Sequence, residues 1–206
     1  MSRLVYIIQN SWLVMVAAFI SGLLMAATNA GLSTRIEQNK AARLNELMTG
    51  LLPQARSFAR LEPQFHLVSS KGKQEEIAVY KGLDEAGQCT GWVFLAAGQG
   101  FADKIELIVA VDKDFEHLAG FRVLTCSETP GFGDKIRQPE FQRQFEGAPA
   151  GGLELVRFGD RAKIDQQIVA ITGATVSSNA VVSILNQTIE YLRSQMLEKG
   201  MIGDGR

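Results

Sequence analysis

The stretch Ile171–Val182, I-T-G-A-T-V-S-S-N-A-V-V, joins a run of small residues to the start of a long helical pattern. Apolar residues recur at spacings of three and four as far as Leu192, which predicts a helix from about Val176 to about Lys199. The start of such a helix presents unpaired backbone N–H groups and the positive end of the helix dipole, so it favours an anion such as a phosphate. The same pattern is also typical of an ordinary helix preceded by a glycine turn, because short strings of small residues are common.

A second stretch, residues 128–136, reads E-T-P-G-F-G-D-K-I and follows an apolar run that is typical of a strand. Pro130 fixes its own φ and biases Thr129 to an extended conformation. Gly131 permits a positive φ and a close backbone approach. The stretch therefore predicts a tight turn whose backbone N–H groups face a ligand. A plain tight turn with a solvated Glu128 is the alternative.

The two motifs occur in order behind one apolar N-terminal segment, and together they resemble the covalent-FMN subunits of ion-pumping redox complexes. The nearest family is the G subunit of the Rnf electron-transport complex; the C subunit of the sodium-pumping NADH:quinone reductase is a longer relative. The resemblance implies an electron-carrying protein within an oxidoreductase that couples ferredoxin/NAD electron transfer to sodium or proton translocation. Since no nucleophile arrangement or paired carboxylates are apparent, we expect no independent catalysis from this chain.

The resemblance implies that a flavin transferase joins FMN, through its phosphate, to the hydroxyl of Thr175. It also implies that the 128–133 turn flanks the flavin ring, where Glu128 either orients the loop or disfavours an anionic reduced flavin. Phe132 either packs on the ring or belongs to the core. The predicted cofactor-binding residues are Glu128, Thr129, Gly131, Thr172, Gly173, Ala174, Thr175, Ser177 and Ser178.

One position departs from the family pattern. An Asp usually stands three residues before the first residue of the motif, but this chain has Val169 there, and its nearest acid is Asp165. The change either weakens recognition by the transferase or is compensated by Asp165 through a local shift. It leaves open an anchored sensor or assembly domain that has lost its flavin, beside the alternative that the chain is the C subunit of a sodium-pumping reductase.

Composition excludes several other functions. The 206 residues carry a net charge of −1 with both signs mixed and no basic stripe, which disfavours nucleic acid as a partner. A metal site is disfavoured because Cys89 and Cys126 are the only cysteines, and His66 and His117 are isolated in the sequence. The two cysteines either form one disulfide or remain separate buried thiols.

A membrane anchor is predicted at the N-terminus. No charged residue occurs in Leu4–Thr34, and Trp12–Thr28 is its most apolar part, long enough for a helix that crosses a bilayer. A cleaved signal peptide is the alternative. The resemblance implies a single-pass protein of the cell inner membrane with its FMN domain on the periplasmic side. The basic residues that follow the segment argue mildly against this orientation: Arg35, Lys40 and Arg43.

The rest of the chain predicts an α+β fold with an antiparallel-rich sheet and a long C-terminal helix. The predicted strands are Phe65–Val68, Ile77–Leu83, Thr90–Ala97, Lys104–Val111, Leu118–Thr125 and Leu153–Phe158. Partners implied by the resemblance are the other membrane and peripheral subunits of the complex. We divide the chain into an anchor segment (residues 1–34), a connector helix (35–60) that packs on the domain or on a neighbouring subunit, and an FMN-binding domain (61–206).

Overall fold

The computed structural model describes residues 3–62, 65–68 and 74–203, and it confirms the predicted α+β fold. The helices are α1 (Arg3–Leu51), α2 (Pro139–Gln142) and α3 (Thr175–Glu198). The strands are β1 (Ser57–Arg60), β2 (Phe65–Val68), β3 (Gln74–Ile77), β4 (Val79–Leu83), β5 (Cys89–Gln99), β6 (Lys104–Asp112), β7 (Leu118–Cys126), β8 (Glu154–Val156) and β9 (Gln167–Val169). Short 3-10 helices occupy Gly133–Arg137 and Arg143–Phe145. The chain forms two compact units that divide between Asn45 and Glu46.

The first unit is helical. Within α1, the segment Ser11–Ser33 is long and apolar enough to cross a membrane, and its apolar side chains are exposed. The helix continues past this segment without a break to Leu51. The division of the chain at residues 34 and 60 stays a prediction.

The second unit is built on a five-stranded antiparallel sheet with the strand order β1-β4-β5-β6-β7. Helix α3 covers one face of the sheet, where Ile184 lies directly over Gly98 of β5 with no room for a side chain between them. The alternating residues of β6 that point to this face are fully buried, because α3 shields them from water. These residues are Ile105, Leu107, Val109 and Val111.

The other face of the sheet packs against the end of α1. A Cβ placed on Gly91 would lie 3.2 Å from Leu52, and one on Gly120 would lie 3.4 Å from Leu51, so these glycines allow a close approach. The last turn of α1 and the residues after it are buried there: Met48, Leu51, Leu52 and Ala55. Of the two predicted contacts of the connector helix, with the domain or with a neighbouring subunit, the structure shows the end of the helix packed on the domain.

Two carboxamide side chains hold the parallel pair β8–β9 in place. Gln144 accepts from the Val169 N–H (2.8 Å) and donates to the Val169 carbonyl (3.2 Å). Asn186 of α3 does the same for Leu153, with distances of 2.9 Å and 2.8 Å. Each amide substitutes for a neighbouring strand, so the buried backbone groups are paired. The clamp at Val169 fixes where the chain enters the 171–174 turn.

The sheet separates the two cysteines. Cys126 pairs with Ile105 at one end of β6, whereas Cys89 lies beyond Gly91, which pairs with Asp112 at the other end. The strand between these points spans roughly 23 Å, while a disulfide requires Cα atoms within about 7 Å. Cys89 and Cys126 are free thiols and do not pair within one chain.

Candidate functional site

The two sequence motifs meet through a buried carboxylate. Ser177, in the first turn of α3, donates its hydroxyl to Glu128 Oε2 at 2.7 Å, and both residues are buried. The other carboxylate oxygen, Oε1, accepts from the backbone N–H of Ala102 at 3.1 Å. Glu128 therefore ties the loop after β5, the turn after β7 and the start of α3 into one cluster.

Two glycines make room for this carboxylate. A Cβ on Gly133 would lie 2.6 Å from Ser177 Oγ and closer still to the Glu128 carboxylate, and a Cβ on Gly100 would also collide with Glu128. Real Cβ atoms do not approach so closely, because interiors are already packed at high density. Gly133 is therefore required by packing, and any side chain there displaces the Glu128–Ser177 contact.

The outer side of the turn is open. Gly131 has φ +78°, the conformation that the sequence predicted, and no atom lies within 4 Å of the position that a Cβ would take there. The backbone N–H groups of Thr129 and Gly131 have no acceptor among the described residues, and both residues are exposed. Such N–H groups are ready to donate to a ligand that covers them.

The 172–175 turn ends at an uncapped helix start. Gly173 has φ +81°, and the backbone N–H of Ala174, the N-cap residue, donates to the Ile171 carbonyl at 2.9 Å. No side chain caps the helix within the described residues. Thr172, Gly173 and Thr175 are exposed, and Thr175 is the first residue of α3. The Thr175 hydroxyl is thus accessible beside the free N–H groups of the first helical turn.

The two serines of this turn have other partners. Ser178, which is fully buried, donates its hydroxyl to the Ala174 carbonyl at 2.9 Å and accepts from the Ile171 N–H at 3.2 Å. The Ser177 hydroxyl donates its hydrogen bond to the Glu128 carboxylate. Both hydroxyl protons are used within the protein, so neither side chain has a proton to donate to a ligand in this structure.

Two side chains of the 128–136 stretch lie over the turn at Gly173. Phe132 Cδ1 and Lys135 Nζ are 3.9 Å and 4.0 Å from the position that a Cβ on Gly173 would take. Phe132 is 58% exposed, which places it at the rim of the site and not in the core. Lys135 is half-buried, with its ammonium 6.0 Å from the Phe132 ring centroid. Sequence reasoning did not single out Lys135, although it stands in the quoted motif.

The carboxylate of Asp165, the acid nearest to Val169 in the sequence, is held by its own neighbours, and its substitution for the missing Asp stays a prediction. Its carboxylate accepts from the Gln167 N–H at 2.7 Å and pairs with Lys163 at 2.6 Å. The Lys163 hydrogen bond, and after it the Gln167 N–H, hold the pKa of Asp165 below its ordinary value. Asp165 precedes the three residues of β9 by two positions and lines a cleft that contains none of the predicted cofactor-binding residues.

A separate cleft opens where β7 begins. Its volume is about 440 Å³. It is lined by His117, Gly147, Pro149, Ile164, Asp165, Gln166 and Gln167. None of the predicted cofactor-binding residues lines it. In the described part of the chain, no three His, Cys, Asp or Glu side chains are grouped so that they would hold a metal ion.

Comparison with known proteins places both motifs within one family match. The FMN-binding domain family matches residues 100–190. The G subunit of an ion-translocating oxidoreductase complex from Methanosarcina acetivorans is 33% identical over 87% of this chain and 91% of its own length. The G subunit of a proton-translocating ferredoxin:NAD(+) oxidoreductase complex from Clostridium ljungdahlii is 29% identical over 86% of both chains.

Relatives of a second kind are more distant. The C subunit of the Na(+)-translocating NADH-quinone reductase from Pasteurella multocida is 28% identical over 79% of this chain and 70% of its own length. The crystal structure of Shewanella oneidensis NqrC superposes with a TM-score of 0.53 over 71% of each chain at 23% identity. This structural likeness supports the fold.

Proposed function

The chain belongs to the family of the G subunits of ion-translocating oxidoreductase complexes, and from this premise we propose that it is a membrane-anchored, electron-carrying FMN protein of such a complex. The family resemblance read from the sequence is confirmed. The alternative of a C subunit is less well supported, because the match covers 70% of the C subunit from Pasteurella multocida and 91% of the G subunit from Methanosarcina acetivorans.

The observation that carries the proposal is the meeting of the two motifs. The Glu128–Ser177 hydrogen bond holds the turn after β7 against the first turn of α3. On the two elements that this contact joins, Thr129 and Gly131 are exposed with N–H groups unpaired within the described residues, and Thr175 is exposed as well. A ligand with hydrogen-bond acceptors on a ring and a phosphate at its tail matches this arrangement.

Each residue of the site has a part in holding FMN. The phosphate is placed on Thr175, where the first-turn N–H groups and the helix dipole stabilise its remaining negative charge. Thr172, Gly173 and Ala174 form a turn small enough to admit the cofactor, and Ser177 and Ser178 keep that turn in shape. Thr129 and Gly131 donate backbone N–H groups to acceptors of the flavin ring, while Glu128 orients their turn. When bound, the flavin supplies the one- and two-electron chemistry.

Covalent attachment needs an activated form of FMN, whose phosphate already belongs to a pyrophosphate as in a flavin dinucleotide. The Thr175 oxygen forms the new P–O bond, and a P–O bond of the pyrophosphate breaks. A nucleoside monophosphate leaves, and the hydroxyl proton leaves with it. A flavin transferase presents the dinucleotide to the exposed turn. The tether keeps the cofactor on a domain that lies outside the cytoplasm, where lost flavin is not recovered.

The complex sets the remaining parts of the proposal. The other membrane and peripheral subunits are the electron donors and acceptors, and the complex couples ferredoxin/NAD electron transfer to sodium or proton translocation. The 23-residue apolar segment of α1 crosses the inner membrane once. We place the FMN-binding unit on the periplasmic side, since long domains translocate largely regardless of the charges beside the span.

The direct test is co-expression of the full chain with a flavin transferase, followed by a denaturing gel viewed under ultraviolet light and an intact-mass measurement. We expect a fluorescent band and a mass increase of one FMN. Thr175→Val is expected to remove both. Thr125→Val is the matched control, because it deletes the same group from an exposed residue of β7 outside the proposed site, and it is expected to keep the flavin.

A wild-type chain without flavin, or a Thr175→Val chain that keeps it, contradicts the proposed attachment. A colourless wild-type protein would instead support the alternative of an anchored sensor or assembly domain that has lost its cofactor.

A further inference from the structure

In the part of the chain that the structure describes, the ammonium group of Lys135, beside the proposed attachment turn, has no carboxylate partner. Its Nζ lies 4.0 Å from the Cβ position of Gly173. No carboxylate of the described residues lies within ion-pair distance of it, whereas Lys163 pairs with Asp165 and Lys104 with Glu106. Its ammonium group lies 6.0 Å from the centroid of the Phe132 ring, which is the outer limit of an effective cation–π interaction.

The surroundings of Lys135 leave a place for an anion. The side chain is half-buried, so it has lost part of its hydration, and such a charge is stabilised by a partner of opposite sign. The nearby carboxylate of Glu128 is already bound to Ser177 and to the Ala102 N–H. Two residues after Gly173, α3 begins at Thr175, and no side chain of the described residues caps its first turn.

From this geometry we propose that Lys135 is the counter-charge of the phosphodiester on Thr175. The inference rests on the proposed function. Thr175 follows Gly173 by two residues, so their Cα atoms are at most about 7.6 Å apart. A flexible lysine side chain next to Gly173 reaches a phosphate attached there. Lys135 is then a positioning residue: with the first-turn N–H groups it fixes the tail of the cofactor and thereby limits the places that the ring can take.

The test is a thermodynamic cycle between the flavin and the charge. The full chain in a non-ionic detergent is prepared with flavin and, by omitting the transferase, without it, and thermal unfolding is followed by circular dichroism. The variants are wild type, Lys135→Met, Lys135→Arg and, as the matched control, Lys113→Met, which removes an exposed lysine from the β6–β7 turn. The quantity measured is the rise in Tm on flavin attachment.

We expect this rise to be smaller by about 2–4 °C in Lys135→Met than in wild type, because an ion pair present only with the flavin is lost. Lys135→Arg and Lys113→Met are expected to keep the wild-type rise. Going from about 0.05 M to about 0.5 M NaCl should lower the rise in wild type and leave it unchanged in Lys135→Met, since salt screens a half-exposed pair.

A purely structural role of Lys135 predicts a different result: Lys135→Met lowers Tm equally with and without flavin, and the difference between the two stays at the wild-type value. That outcome overturns the Lys135 inference and leaves the proposed function intact, because wild type still carries flavin. A wild-type chain that takes no flavin overturns both.

Discussion

At one end of β7, the Glu128 carboxylate is buried and both of its oxygens accept protein hydrogen bonds; at the other end, His117 and Asp165 line an open cleft of about 440 Å³. The nine residues of β7 keep these regions roughly 30 Å apart. The Glu128 end has little empty space, since Gly100 and Gly133 pack against the carboxylate. The cleft has the space, but its Lys163–Asp165 pair lies at the surface.

If the proposed function holds, the functional end of this domain is the closely packed one and not the one with the empty volume. The buried hydrogen bond at the Glu128 end holds two sequence-distant motifs together, and their exposed backbone groups face outward. An ion pair at the surface, in contrast, contributes little to stability because water and salt screen it. Substitutions at the Glu128 end should therefore be costly, and those at the cleft should be nearly silent.

The largest effect is expected from Gly133→Ala. The added methyl group collides with Ser177 Oγ and Glu128, so the cluster must separate, at a cost of about 2–3 kcal/mol in the free energy of unfolding. Thermal unfolding of the full chain measures the loss. Gly50→Ala is the matched control, because a Cβ there meets nothing within 4 Å and a helical Ala is favoured over Gly by about 0.5–1 kcal/mol. Equal Tm values for the two variants would show that the cluster is not tightly packed.

A smaller effect is expected from Glu128→Ala, which leaves the Ser177 hydroxyl and the Ala102 N–H without their acceptor. We expect a loss of about 2 kcal/mol, and about 1 kcal/mol for Ser177→Ala. The double variant should lose about 1 kcal/mol less than the sum of the two single losses, because both single variants break the same hydrogen bond. Simple additivity would mean that the hydrogen bond contributes nothing. Asp165→Asn, at the other end of β7, is the control and should change stability by less than about 0.5 kcal/mol.

The smallest effect is expected from Lys163→Met, which removes the partner of Asp165 at the cleft. Lys163 lowers the pKa of Asp165 mainly through their hydrogen bond, so its removal should let that pKa rise toward its ordinary value, as a carboxyl NMR titration measures. A lowered folded-state pKa stabilises the protein above the unfolded value of 3.8, and the gain disappears as the pH falls through the folded value. For an exposed pair we expect no measurable change of Tm at neutral pH. If the pKa of Asp165 is the same in Lys163→Met and in wild type, the ion pair does not persist in solution.

Local patterns of the sequence predicted much of the fold. Helix α3 was expected from about Val176 to about Lys199 and runs from Thr175 to Glu198, because its apolar spacing is regular over many turns. The predicted strand Ile77–Leu83 corresponds to β4 (Val79–Leu83), but its first residue, Ile77, is the last residue of β3, which belongs to a different sheet. The apolar run gave no sign of this break, since Ile77 and Val79 on either side of it are both buried.

The contacts that assemble the site were beyond local patterns. Glu128 and Ser177 are 49 residues apart, and Gln144 holds Val169 across 25 residues. Such pairings depend on how the sheet and α3 pack, and no periodicity encodes them. The family resemblance located both motifs, but it did not distinguish the buried role of Glu128 from a solvated one. It also passed over Lys135, whose position is defined only by the fold of the 128–133 turn over Gly173.

The central claim is that the flavin is attached at the mouth of α3, and peptide mapping of the full chain tests it most directly. After co-expression with a flavin transferase, trypsin cleaves after Lys163 and after Arg193 and releases the peptide Ile164–Arg193. We predict that this peptide gains the mass of one FMN, that it fluoresces, and that fragmentation assigns the added mass to Thr175. A peptide of unmodified mass, or a flavin assigned to any other residue, would contradict the account.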